Sequence, residues 1–209
     1  MSRDTSEAPE MQIVYEHPRP TPPYMTFEEF LARRFFRPLG MTATGFGDSR
    51  EVVPRRSSLY SLYVLRDKKL VDSPDKIHAT QFLYPTYLYM GAGLNTTAND
   101  LAKWDAALSA GKILKPATLN AMWTAARLND GTVFRLEGST LGYGGGWLVD
   151  DTPGHKSVGH TGGAATAYIR YLDDKLSVVV LTNCQGADPE PIVEGVAALY
   201  VPALAEQSK

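Results

Sequence analysis

Apolar residues along the chain follow two regimes, helical spacing in its first two thirds and short β-branched or aromatic runs after residue 142. Thr26 with Glu29 three residues on has the form of a capping box, and Phe27, Phe30, Leu31 and Phe35 then recur at helical spacing until Pro38 stops them. A second helix is predicted from Thr97, with Asp100 in its first turn, Leu101, Trp104 and Leu108 as its stripe and Gly111 as its stop. A third opens at Pro116, the favoured first-turn position, and carries Leu119, Met122 and Trp123 inward. Between the first two helices the pattern is irregular. Residues 39–94 read as a long decorated loop region with turns at Gly45 and Gly47 and a hairpin tip at Asp67-Lys68-Lys69.

Strands are predicted over 142–149, 157–161, 165–172 and 176–183, the last two joined by the tight Asp173-Asp174-Lys175 turn. Connections this short cannot make parallel crossovers, so the sheet is antiparallel. A closing helix follows over 188–204, with Asp188 as cap, Pro189 at its start and Ile192, Val196, Leu199 and Tyr200 toward the sheet. The plan is α+β: helices and loops over 25–138, an antiparallel sheet over 142–183, then a covering helix. Residues 1–24 hold five of the fourteen prolines within their first 23 positions and almost no apolar period, which predicts a flexible leader ahead of a domain over 25–209.

Composition narrows the function. With 209 residues, 44% hydrophobic, 21% charged and a net charge of −2, the chain is globular and carries no basic field for a nucleic-acid backbone. No apolar run approaches a membrane span and no secretory pattern opens the chain, so a cytoplasmic location is expected for it as given, and a periplasmic or secreted one if an upstream segment exists. The lone Cys184 rules out an internal disulfide framework and reads as a small buried hydrophobe. His155, His160, Asp150, Asp151 and Cys184 match no metal-ligand spacing, so no metal and no cofactor are expected. Arg170 reads as a surface pair, and His17 and His78 as solvated.

Three stretches in order, FEEFLARRFFRPLGMTATGFGD from Phe27, GAGLNTTANDLAKW from Gly91, and GYGGGWLVDD through GHTGGAATAYIRYLDDKLSVVVLTN from Gly142, resemble the serine β-lactamase superfamily. The likeness is to its class C β-lactamase, esterase and penicillin-binding-protein-like branch. It implies the β-lactamase/transpeptidase-like fold and a serine nucleophile in Ser-x-x-Lys. It further implies a Tyr-x-Asn motif and a His/Lys-Thr-Gly strand edging a cleft. The chemistry behind that set is general: a serine hydroxyl needs a neighbouring base, and the oxyanion that follows needs N–H donors.

By this resemblance His160 and Thr161 line the cleft, as a substrate-carboxylate contact or a proton-transfer aid. Gly162 lets substrate lie close, the Gly163 N–H serves the oxyanion, and Tyr143 and Trp147 shape the pocket. The strings Ser73-x-x-Lys76 and Ser109-x-x-Lys112 fit the nucleophile motif by spelling only, since neither opens a helix; no Tyr-x-Asn occurs, and Tyr60-Ser61 lies downstream of the PLGM loop. The fold is therefore expected to lack its N-terminal strands and nucleophile-bearing helix, leaving 176–183 as an uncovered apolar edge that invites a homo-oligomer or a complementing chain. Two functions remain. One is the C-terminal portion of a hydrolase for β-lactams, D-alanyl peptides or small esters, with an incomplete site. The other is a non-catalytic family member serving as a binding or assembly module.

Overall fold

A computed structural model describes residues 25–46, 52–73, 78–80, 91–163 and 165–206. The expected leader, His17 and Lys76 lie outside the described residues. The first helix, α1 (Phe27–Leu31), is capped as its sequence predicts, the Thr26 hydroxyl accepting from the Glu29 N–H at 3.1 Å. It runs on as a π-helical turn over Ala32–Phe36, where the Arg37 N–H bonds back to the Ala32 carbonyl at 2.9 Å. That wider turn rotates the stripe. Phe36 is the buried aromatic, while Phe27 and Phe30 stand exposed, against the predicted set.

The loop after Pro38 is tied to the next helix by one carboxylate. Helix α2 (Ala98–Ser109) starts at Thr97, whose hydroxyl caps the Asp100 N–H at 3.2 Å. The Asp100 side chain, only 2% exposed, accepts from the Ala43 N–H at 2.8 Å, the Thr44 hydroxyl at 2.9 Å and Lys103 Nζ at 2.8 Å. Lys103 also bonds the Gly40 carbonyl. One buried anion thus satisfies donors from two segments far apart in the chain, and β1 (Gly45–Phe46) leads out of the clasp.

The stretch read as loop holds short strands: β2 (Leu59–Ser61), β3 (Tyr63–Arg66), β4 (Lys69–Asp72), β5 (His78–Thr80) and β6 (Leu94–Asn95). The β3–β4 hairpin turns at the predicted tip, with Asp67 and Lys68 both at positive φ, as a two-residue turn of this hand requires. Strands β1 and β6 pair antiparallel.

Helix α3 (Pro116–Met122) begins at its proline. The main sheet comprises β7 (Gly142–Tyr143), β8 (Leu148–Asp150), β9 (Ser157–Gly162), β10 (Thr166–Tyr171) and β11 (Leu176–Leu181) in the order β11-β10-β9-β8-β7, every pair antiparallel. The predicted strand over 142–149 is instead the β7–β8 hairpin, broken where consecutive glycines turn the chain. A short β12 (Cys184–Gln185) leaves the sheet and pairs in parallel with β2, a link between distant segments that no local pattern encodes.

Each sheet face has its own core. Val149 and Val158 pack with Leu108 of α2, Leu119 of α3 and Trp123. On the other face Ala167, Val178 and Val180 meet Val193, Ala197 and Leu204. The covering helix α4 (Glu190–Tyr200) has Pro189 as its N-cap, with Asp188 accepting from the Glu190 N–H at 3.0 Å, and ends in a 3-10 turn over Pro202–Glu206. Its buried face corrects the predicted one: Val193 and Ala197 are buried with Val196 beside them, whereas Ile192, Leu199 and Tyr200 point outward. Small residues let the helix approach the sheet closely, and an almost wholly apolar helix offers two stripes to choose from.

Arg170 is also not at the surface; it is 6% exposed and ion-paired to Asp105 of α2. Strand β11 has no neighbour on its outer side among the described residues. No helix among them is long and apolar enough to cross a membrane.

The Asp100 clasp yields a stability prediction. Burial pushes the Asp100 carboxyl up, but bonds from Lys103, Thr44 and Ala43 together outweigh it and hold the folded-state value below the ordinary 3.8. The stabilisation is complete above 3.8 and is lost as pH falls through the lowered folded value. Asp100→Ala leaves buried donors unmatched and destabilises the chain by about 2–4 kcal/mol at neutral pH, read by urea denaturation. The gap to the parent closes as both are acidified.

Candidate active site

The end of β9 is shaped by its glycines. A Cβ on Gly159 would collide with Ile169 and the Tyr168 carbonyl, so only glycine lets β10 lie this close. A Cβ on Gly162 would sit 2.5 Å from the Thr166 hydroxyl, whereas one on Gly163 would meet nothing within 4 Å. Thr161, Gly162 and Gly163 edge a cleft of about 370 Å³. It is lined as well by Tyr63 of β3, Gly186 of the β12–α4 connection and Glu190 at the start of α4. Gly186 has φ of +92° and carries the chain past the Tyr63 ring, which a Cβ would strike at 2.6 Å.

His160 and Tyr143 form a pair beside this cleft and are not among the residues lining it. His160 Nδ1 lies 2.6 Å from the Thr161 carbonyl, which can only accept. Nδ1 is therefore the donor of that contact, and Nε2 faces the Tyr143 hydroxyl at 3.4 Å. The two rings meet edge-on at 5.9 Å, with Phe134 edge-on to Tyr143 at 6.2 Å.

Trp147 stands elsewhere. Its ring packs 5.9 Å from both Trp123 and Tyr168, in the core behind β8. The turn before it is pinned to the end of α3: the Gly145 N–H bonds the Met122 carbonyl at 2.9 Å, and a Cβ on Gly144 would run into the Met122 and Thr124 carbonyls.

Neither Ser-x-x-Lys string forms a nucleophile pair among the described residues. Ser109 ends α2 and its Oγ accepts from Arg170 at 2.6 Å, while Gly111, at φ +65°, turns the chain before Lys112. Ser73 follows β4, its N–H bonded to the Leu62 carbonyl at 2.6 Å, and its lysine lies outside the described residues. The two neighbouring histidines part company, His155 pairing with Asp174 at 3.0 Å. Tyr63, Gly186 and Glu190 carried no signal in the sequence, because each reaches the cleft only through the β2–β12 pairing and the start of α4.

An antiparallel sheet flanked by helices, with a His-Thr-Gly strand at the cleft edge, is the β-lactamase/transpeptidase-like fold. The sequence profile described as Beta-lactamase matches residues 18–201, and the chain belongs to that family. It is 28% identical over 167 residues to penicillin-binding protein 4* of Bacillus subtilis (strain 168), covering 76% of this chain and 35% of that protein. Among solved structures it superposes on a penicillin-binding protein from Bacillus halodurans with TM-score 0.61 and 19% identity, over 84% of this chain and 50% of that one. It superposes on the D-amino acid amidase from Ochrobactrum anthropi SV3 with TM-score 0.60 and 21% identity, over 88% and 54%. The chain thus spans about a third of the curated relative and about half of these structures.

The glycine geometry separates two substitutions. Gly159→Ala strikes backbone and lowers stability by about 2–4 kcal/mol, whereas Gly163→Ala changes it by less than about 0.5 kcal/mol. Denaturant midpoints measured side by side check both.

Proposed function

We propose that this chain carries the substrate-binding portion of a β-lactamase-family serine hydrolase site that takes a β-lactam, a D-alanyl peptide or an ester. The observation that carries this reading is the opening of Thr161-Gly162-Gly163 onto the cleft, with room above Gly163 for an acyl group. In this reading the Gly163 N–H donates to the oxyanion, Thr161 holds the polar end of the substrate, and Gly162 keeps the strand flat beneath it. His160, with its proton on Nδ1, takes the Tyr143 hydroxyl hydrogen as the acceptor of that pair, which assists proton movement at the cleft mouth. Trp147 acts from behind, holding the turn that positions Tyr143.

The serine that attacks the carbonyl carbon, and the lysine that takes its proton, come in this reading from a segment outside these residues. The attack places negative charge on the carbonyl oxygen; collapse expels the amine or alcohol and leaves an acyl-serine for water to release. The open edge of β11 and the outer face of α4 receive the complementing segment. A second reading, a non-catalytic binding or assembly module, is favoured by the absence of any serine–lysine pair at the cleft among the described residues.

Incubation of the purified chain with a fluorescent penicillin and a fluorophosphonate, followed by mass spectrometry, tests the incomplete site. The expected outcome is no stoichiometric serine adduct and no turnover of nitrocefin or p-nitrophenyl acetate; a stoichiometric adduct on any serine of this chain contradicts it. Co-expression with the preceding half of a family relative then divides the readings. Ester turnover appears if the site is completed, and stays at background if the chain is a binding module.

A further inference from the structure

Every charged side chain that lines the cleft at the end of β9 is a carboxylate. Asp188 and Glu190 are both exposed there, and no lysine, arginine or histidine lines it among the described residues. Neither acid has a cationic partner of its own. The ion pairs of the described residues run instead to Asp100, Asp105, Asp151 and Asp174. Asp188 accepts from the Glu190 N–H at 3.0 Å, a bond that caps α4 and leaves the charge of the carboxylate uncancelled.

The polar part of the remaining lining is neutral: the hydroxyls of Thr161 and Tyr63 and the side-chain amide of Gln185. Tyr63 is held at both ends. Its N–H donates to Ser61 Oγ at 2.9 Å, and a Cβ on Gly186 would stand 3.0 Å from its Cζ, so the hydroxyl-bearing end of the ring lies against that cleft residue. Hydroxyls and an amide suit a carbonyl or amide group of a ligand, and none of them brings a positive charge.

The balance of charge sets the sign of the selection. The start of α4 contributes about half a positive charge against the two full negative ones. Across a cleft of this volume, roughly 7 Å wide, two unit charges in water interact by about one RT. The negative excess therefore weakens an anion by about three- to fivefold at low salt, and it is screened out near 1 M, where the Debye length is about 3 Å.

Resting on the hydrolase reading of this cleft, we propose that Asp188 and Glu190 determine its specificity. The cleft takes a neutral or ammonium-bearing amide or ester and disfavours substrates that carry a carboxylate, which narrows the three substrate classes to the last. The polar end that Thr161 holds is then a carbonyl or an amide.

Two probes of one skeleton test this, N-acetyl-D-alaninamide and N-acetyl-D-alanine, the second ending in a carboxylate. Each is titrated at pH 7 into the ¹⁵N-labelled chain, and the Gly163 amide cross-peak, assigned by its loss in Gly163→Ala, is followed. At about 0.01 M salt the amide is expected to shift Gly163 saturably and the acid to bind about three- to fivefold more weakly, with the gap closing near 1 M. D-alaninamide, which carries an ammonium, is expected to bind at least as well as the neutral amide. Glu190→Gln removes one charge from an exposed side chain and is expected to narrow the gap to about twofold or less. Equal binding of amide and acid at low salt, or a gap unchanged both by salt and by Glu190→Gln, overturns the specificity proposal and leaves the hydrolase reading standing. A Gly163 signal that none of the probes moves overturns that reading, and the proposal with it.

Discussion

The alternation of side chains along β10 is the constraint on which both halves of the core depend. Ala167 and Ile169 go to the α4 side, while Tyr168 and Arg170 go to the α2 side and reach Asp105 and Ser109. A one-residue slip would exchange those sets, placing an arginine under α4 and alanine opposite Asp105. The pairing of β10 with β9 on one side and β11 on the other is therefore fixed by chemistry as well as by packing.

From that register the cleft follows. Because Gly162 pairs with Thr166, the short connection between β9 and β10 has little room, and Ala165 completes it with φ of +57° while 4% exposed. The left-handed region is uncommon for a residue with a Cβ, so this turn is held by its surroundings. The same connection presents Gly163 outward. Part of the lining belongs to the β2–β12 pairing and the start of α4, so the cleft joins the end of the main sheet to a separate small one.

What the sequence made legible was local. The caps at Thr26 and Thr97, the first-turn Pro116, the stop at Gly111 and the turn at Asp173-Asp174-Lys175 all stand where their spacing places them, because each rests on bonds within a few residues. Thr161, Gly162 and Gly163 were legible through family likeness, and the structure sets them along one cleft. What stayed hidden was non-local or degenerate. Arg170 looked like a surface charge because its partners Asp105, Ser109 and Trp123 lie far back in the chain. The buried face of α4 was ambiguous because Ile192, Val193, Val196, Ala197, Leu199 and Tyr200 supply two apolar stripes. The π turn in Ala32–Phe36 shifted a stripe by one residue, a change that regular periodicity cannot anticipate.

We propose that a second copy of this chain covers the β11 edge and the outer face of α4, as the expectation of a homo-oligomer requires. Leu181 at the end of β11 is 41% exposed, and Leu199 and Tyr200 on α4 are 82% and 73% exposed. An apolar strand edge beside an apolar helix face favours association in water. Light scattering of the purified chain at micromolar concentration measures this most directly. The account predicts a mass at least twice the 22.9 kDa of one chain; a stable 22.9 kDa monomer contradicts it.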